Sequence, residues 1–331
     1  MEMGVDVVEV SVVVPTHNRS RLLCLTLQSV LWQRDVDLEV IVVNDGSTDD
    51  TAEVVAGLGD ARVRMVRHER PQGVAAARNG GPEEAAAEWF TFLDDDDLWA
   101  PDKLARQLQA ARKAGCSWAY TGAVSIDDEL KVLGGMPPPS PERIVELLPR
   151  YDAVPGGGSN IVVHRDTLAR AGRFDSRLRN TEDWEMWIRL AKLGPPAWVC
   201  SPLVAKRAHN RNSSLDTREI LAGSELIERL HGGKVDRGIT YRWLAESCLR
   251  TGRRAMAVRY FAAAALRGQA RNVAGDLRVI LRRRIRRYLL RDRRPEAASY
   301  RHPQWIAEAR SWLDALAARS APLHGADADR G

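Results

Sequence analysis

Over the first 120 residues, short β-branched runs alternate with longer helical patterns, as expected of stacked βαβ units that feed a parallel sheet. EVSVVV (9–14) reads as a buried strand, RSRLLCLTLQSVLWQ (19–33) as an amphipathic helix and LEVIVV (38–43) as a second strand. STDDTAEVVAGL (47–58) reads as a helix capped by Ser47 or Thr48, and RVRMV (62–66) as a third strand. GVAAARNGGPEEAAA (73–87) reads as a helix broken near Gly80–Pro82, and WFTFL (89–93) as a fourth strand. PDKLARQLQAARKAG follows as a helix with Pro101 in its first turn, then CSWAY as another strand. The proline and glycine of MPPPSP and PGGGSN make residues 121–160 read as loops held over a cleft. TEDWEMWIRLAKLG (181–194) restores a helix, and PAWVCSPLVAKR (196–207) reads as one or two strands. Beyond residue 215 the patterns are helical, near 217–231, 238–251, 253–267, 273–290 and 303–318. The expected fold class is α/β: a Rossmann-like, mostly parallel sheet flanked by helices in residues 1–214, with an all-α extension in residues 215–331.

Composition narrows the class. A chain of 331 residues with 44% hydrophobic and 28% charged residues is neither disordered nor collagen-like nor a disulfide scaffold. Cys24, Cys116, Cys200 and Cys248 form no CxxC pair, so neither a zinc ribbon nor a thiol redox pair is encoded. The opening MEMGVDVVEV lacks the basic flank of a signal peptide, and no run of 18 apolar residues occurs, so a cytoplasmic protein is expected. The net charge of +5 conceals a local feature: residues 271–294 hold ten Arg and two Asp. Val279, Ile280, Ile285, Leu289 and Leu290 lie among those arginines, a mixture that suits peripheral contact with an anionic membrane surface. A solvated face packed on the rest of the chain is the competing reading. Nucleic acid is not expected, because no aromatic interleaving or known motif accompanies the charge.

The chemistry concentrates at the ends of the predicted strands. Asp94, Asp95, Asp96 and Asp97 stand together after a hydrophobic strand, where four adjacent carboxylates repel one another unless a cation offsets them. Mg²⁺ or Mn²⁺ suits such oxygen ligands, taking one or two carboxylates and completing its shell with water and phosphate. A solvated acidic turn before the next helix is the alternative. Pro15, Thr16, Asn18 and Arg19 leave the first strand and Asp45 leaves the second, either as ordinary caps or as one rim of a nucleotide cleft. Trp184 and Trp187, three apart on a helix, read as core, whereas Trp99 reads as a substrate contact.

In order and spacing, VSVVVPTHNR, LEVIVVNDGSTDDT, GVAAARNGG, FTFLDDDDLWAPDKL, GRFD and TEDWEMWIRL resemble the family 2 glycosyltransferases, inverting nucleotide-sugar enzymes of the GT-A fold, over about residues 9–205. The resemblance implies that Pro15 and Thr16 line the nucleotide pocket and that Asp45 accepts the N3–H of a uracil-like base. It places Arg78 near the nucleotide, Asp94 and Asp95 near the ribose and diphosphate, and Asp96 on the metal as part of the DxD motif. Asp183, in TEDWE, matches the carboxylate that takes the acceptor's proton, although Glu182 and Asp183 would also complement a helix dipole. His209 falls where some relatives place a residue beside the diphosphate, and is otherwise a loop histidine. The implied activity is transfer of a sugar from a UDP-sugar or similar donor to a glycan or lipid-linked sugar acceptor. A nucleotidyltransferase of related fold would normally carry glycine in the loop after the first strand, which here is PTHNR, and a non-catalytic scaffold would not need Asp45, Asp96 and Asp183 together.

Overall fold

In the computed structural model of the chain, residues 8–85, 87–208, 216–289 and 303–320 are described. Strands β1 (Val10–Thr16), β2 (Leu38–Asn44), β3 (Val63–Arg67) and β4 (Trp89–Phe92) pair in parallel in the order β3-β2-β1-β4. The connecting helices are α1 (Ser20–Leu31), α2 (Thr51–Gly57) and α3 (Val74–Glu83). Val13, Ile41 and Val43 point into one core, while Val10, Val12, Val14, Val40 and Val42 point into a second on the other face. Burial on both faces is why these strands read as unbroken apolar runs.

Past β4 the sheet becomes mixed. It continues β4-β8-β6-β9-β5, with β5 (Leu98–Trp99), β6 (Trp118–Ile126), β8 (Val162–His164) and β9 (Ala197–Arg207), and β7 (Val132–Met136) pairs with β6. β8 runs antiparallel to both its neighbours, β5 antiparallel to β9, and β6 parallel to β9. The sheet expected to be mostly parallel is so through its first half and again between β6 and β9; the antiparallel strands β5 and β8, two and three residues long, are too short to show a period in the sequence. Residues 121–160, expected to be loops, complete β6 and hold β7, helix α5 (Pro141–Leu147) and a 3₁₀ turn at Gly157–Ser159. α4 (Lys103–Ala114) precedes β6, while α6 (Arg165–Ala171) and α7 (Glu182–Leu193) follow β8.

Two local expectations are corrected. Helix α3 runs unbroken through Gly80, Gly81 and Pro82: the proline falls in its last turn, and a Cβ on Gly81 would run into Val13, so glycine lets the helix lie on β1. Neither Ser47 nor Thr48 caps α2, which starts at Thr51. The Ser47 hydroxyl instead accepts from the Asn18 amide, and Asp49 accepts from Thr51 at 2.5 Å.

The helical C-terminal part divides in its packing. Helices α8 (Thr217–His231) and α12 (Pro303–Ser320) return to the strand-bearing body. Gly223 of α8 abuts Thr181, the residue before α7, and Asn180 Nδ2 donates to Glu219 of α8 at 2.5 Å, so α8 buttresses the start of α7. Helix α12 buries Trp305, Ile306, Trp312, Leu313 and Leu316 against Leu98, Val124, Ile126 and Leu203. The Trp305 ring fills the hollows left by Gly122 and Gly135, and Trp312 Nε1 donates to the Pro202 carbonyl at 3.1 Å. Helices α9 (Arg237–Arg250), α10 (Arg254–Ala264) and α11 (Ala270–Leu289) share a small core of Ala245, Phe261, Ala264 and Val273. No helix among the described residues is long and apolar enough to cross a membrane.

Candidate active site

Parallel pairing delivers Thr16, Asp45 and the aspartate run to one edge of the sheet: the Leu93 amide still donates to the Val13 carbonyl at 3.0 Å, and Asp94 to Asp97 follow it. Thr16 Oγ1 donates to Asp95 at 2.8 Å, and the Arg19 guanidinium bridges Asp95 at 3.1 Å and Asp96 at 2.8 Å. The buried Asp97 accepts from the Ser159 hydroxyl at 2.6 Å and from the Arg207 amide at 2.9 Å. Thr26 Oγ1 donates to the carbonyls of Asp95 and Asp97 at 3.0 Å each. The cluster is thus a held turn with fixed side-chain directions, not a solvated one.

A second network joins this turn to α7. Arg78, 2% exposed, donates to Asp94 at 2.5 Å and to Glu182 at 2.6 Å, while Glu182 also accepts from the Asn180 amide at 2.8 Å. Asn180 adopts φ +115°, a left-handed conformation held between these partners and Glu219. Asp183 stays partly accessible in the first turn of α7, its Oδ1 accepting the Trp184 amide at 2.7 Å. Asp152 and Lys206, which the sequence reading missed, open onto the same side. The loop PGGGSN forms the floor: a Cβ on Gly158 would run into Arg78, and one on Gly157 would stand 3.0 Å from both Asp183 Oδ2 and Lys206 Nζ. Its glycines are there because side chains would fill the site.

The electrostatics follow from burial and crowding. Burial, opposed by Arg19 and reinforced by Asp96, pushes Asp95 up to about 7; burial, opposed by Arg78, lifts Glu182 to about 7. Asp97 rises well above the ordinary carboxylate range through burial and through Asp96 and Asp94. Asp152 remains accessible, yet the protein around it and then Asp183 push it upward. Burial opposes the charge of Lys206, but Asp97, Asp94, Asp183 and Asp152 outweigh it and raise its pKa.

Most of the expected residues meet at this edge. Pro15 and Thr16 end β1, and Asp94, Asp95 and Asp96 form the turn beside them. Arg78 is sealed beneath the site as the bridge between Asp94 and Glu182. The Asp45 carboxylate accepts the backbone amides of Gln72 at 2.9 Å and Gly73 at 2.8 Å and contacts His68 Nδ1 at 2.7 Å, and so shapes the turn into α3. Trp184 and Trp187 are core, as expected. Trp99 is a correction: it is fully buried, its Nε1 donating to the Ser159 carbonyl at 2.8 Å and its ring lying under Lys103 Nζ, so it supports the floor from within the core. His209 lies outside the described residues.

The family described as Glycosyl transferase family 2 matches residues 11–168. The chain is 30% identical over 233 residues, 67% of its length, to a putative teichuronic acid biosynthesis glycosyltransferase, TuaG, of Bacillus subtilis, and spans 89% of that protein. It is 29% identical over 183 residues, 55% of its length, to WfgD of Escherichia coli, named a UDP-Glc:alpha-D-GlcNAc-diphosphoundecaprenol beta-1,3-glucosyltransferase, and spans 70% of it. An uncharacterized glycosyltransferase of Rickettsia bellii is 30% identical over 62% of this chain, which spans only 30% of that relative. Among solved structures, S. aureus TarS in complex with UDP-GlcNAc is similar in fold, with TM-score 0.57 and 17% identity over 73% of this chain and 72% of that one.

Proposed function

The chain belongs to glycosyltransferase family 2, and on that premise we propose that it transfers a sugar from a nucleotide-diphosphate donor, a UDP-sugar, to an acceptor hydroxyl with inversion at the anomeric carbon. The observation that carries this reading is the Asp94–Arg78–Glu182 bridge. It ties the start of α7, where the partly accessible Asp183 stands, to the strand-end aspartates. A direct displacement needs a base on the face away from the leaving group, and in this reading Asp183 is that base. Pro15, Thr16 and Asp45 take the nucleoside, and Asp94 and Asp95 take the ribose and diphosphate.

The donor set fits Mg²⁺ or Mn²⁺. Asp94, Asp95, Asp96, Asp97, Asp152, Glu182 and Asp183 outnumber Arg19, Arg78, Lys206 and Arg207, and a dication offsets the surplus. Among the described residues no three His, Cys, Asp or Glu side chains form a ready ligand set; Asp96 would hold such an ion, with water and donor phosphates supplying the other ligands. Once bound, such an ion neutralises charge on the departing diphosphate.

The acceptor is a glycan or a lipid-linked sugar, in the building of a cell-surface polysaccharide, as the names of TuaG and WfgD support. The enzyme is cytoplasmic and rests peripherally on the anionic inner face of a membrane through α9–α11. Residues 237–281 hold nine arginines against Glu246 and Asp276. Val258 and Leu266, 68% and 86% exposed, lie along α10 and its continuation among those arginines.

A donor panel tests the reading: UDP release from UDP-glucose and UDP-GlcNAc with Mn²⁺ or with EDTA, and the product anomer read by NMR. Release that needs the metal and gives the inverted anomer is expected. Release undiminished by EDTA overturns the metal assignment, and a retained anomer overturns inversion.

A further inference from the structure

Lys206, the penultimate residue of β9, has no place in the reaction outlined so far. Its Nζ and Asp183 Oδ2 each lie 3.0 Å from the point where a side chain on Gly157 would begin. The two charges therefore face one another across about 6 Å at most, within the range in which an ammonium stabilises a carboxylate. Gly157 keeps that gap open. Its φ of +61° is left-handed, a conformation that disfavours any residue with a side chain.

The charges around Asp183 show what the lysine offsets. From α7 itself comes Glu182, from α3 Arg78, from the segment before the glycine floor Asp152, and from β9 Lys206. Arg78 already donates to Asp94 at 2.5 Å and to Glu182 at 2.6 Å. Without a second cation, Asp183 would share one committed guanidinium with Glu182 and face Asp152 as well.

We propose that Lys206 is a positioning residue for Asp183, its ammonium keeping that carboxylate turned to the gap above Gly157, where the attacking hydroxyl enters. This rests on the reading of Asp183 as the base. In the step it serves, the acceptor oxygen bonds to the anomeric carbon, the bond from that carbon to the diphosphate oxygen breaks, and UDP departs with the bonding pair. The hydroxyl proton passes to Asp183 and later to solvent. Lys206 exchanges no proton; it acts through the carboxylate.

The test uses the full-length protein with Lys206→Met and Lys206→Arg, each alone and combined with Asp183→Asn, and reads UDP release from UDP-GlcNAc and UDP-glucose across pH. Lys206→Met should lower kcat about tenfold at pH 7 and move the acid limb of the profile up by about one unit, so that activity recovers as pH rises. Lys206→Arg should restore most of it. In the Asp183→Asn background Lys206→Met should cost nothing further, as expected of two residues that act as a unit. A second measurement is independent of turnover: in protein labelled at aspartate ¹³Cγ, the resonance lost in Asp183→Asn should titrate at higher pH in Lys206→Met. An unmoved resonance overturns the proposal. So does weaker UDP binding by Lys206→Met with an unchanged profile, which would make Lys206 a diphosphate contact. If Asp183→Asn releases UDP at a normal rate, the base reading fails separately, and the carboxylate titration still reports whether Lys206 and Asp183 are paired.

Discussion

Arg78 and Arg259 carry the same group into opposite surroundings. Arg78 is sealed between Asp94 and Glu182, whereas Arg259 projects from α10 beside the exposed Val258. The acidic edge of the sheet and the basic α9–α11 unit repeat that contrast throughout. At the edge, Arg78, Asp95, Asp97 and Glu182 are buried and held by their partners, so removing one strands another. On α9–α11, Arg254, Arg259, Arg267, Arg271 and Arg278 are exposed around a core of four buried apolar residues, and Arg242 pairs with Asp276 at 2.5 Å. Surface charge of that kind contributes little to stability. One region is built to hold a reaction geometry, the other to present a field.

Substitutions should separate the two. The largest effect is expected from Asp183→Asn, which should slow the chemical step by roughly two to four orders of magnitude while UDP affinity, measured by calorimetry, stays within about twofold. Near-normal turnover would move the base elsewhere, with Glu182 the next carboxylate. Arg78→Met leaves Asp94 and Glu182 without their shared cation, so a loss of roughly 3–5 kcal/mol in chemical denaturation is expected. A loss below about 1 kcal/mol would show that the bridge is not a structural commitment.

On the basic side, Leu266→Asp with Leu277→Asp should weaken binding to vesicles containing anionic lipid by about tenfold or more and leave UDP release untouched. Equal binding by the variant, or equal binding to neutral vesicles, would break the contrast drawn here. The smallest effect concerns pH. Asp95 and Glu182 have folded-state pKa values raised to about 7, above their unfolded values, so the stability they contribute is complete below the unfolded values and is lost as pH rises through about 7. The melting temperature of the metal-free protein should therefore rise by a few degrees as pH falls from 8 to 6, and Mn²⁺ should flatten that slope. A slope of opposite sign would show that other groups dominate.

Strand ends were readable in the sequence because β-branched runs and the turns after them are local, and Thr16, Asp45 and Asp94 to Asp97 each sit within a few residues of the strand that places them. Asp183 was readable through TEDWE at a helix start. Lys206 and Asp152 were not, since one looks like the polar end of a strand and the other like a loop acid until folding sets both beside Asp183. Ser159 likewise reaches Asp97 across 62 residues of chain. The short strands β5 and β8 escaped for lack of a period. Trp99 was misread because its position beside the aspartates says nothing about which way its ring turns.

The seat of α12 has a consequence for the order in which the molecule can be completed. Leu98, Val124, Ile126 and Leu203 are translated long before the helix that covers them, and Trp305 Nε1 meets the Ala123 carbonyl across 182 residues. At ~5–20 residues per second, the roughly one hundred residues between the end of β9 and Trp305 take on the order of 5–20 seconds to make. For that interval the glycine hollows at Gly122 and Gly135 face solvent as an apolar seam, with the first half of the sheet already able to form. Closure is thus a late, long-range event, and the nascent chain has a timed need for protection that lasts until α12 arrives.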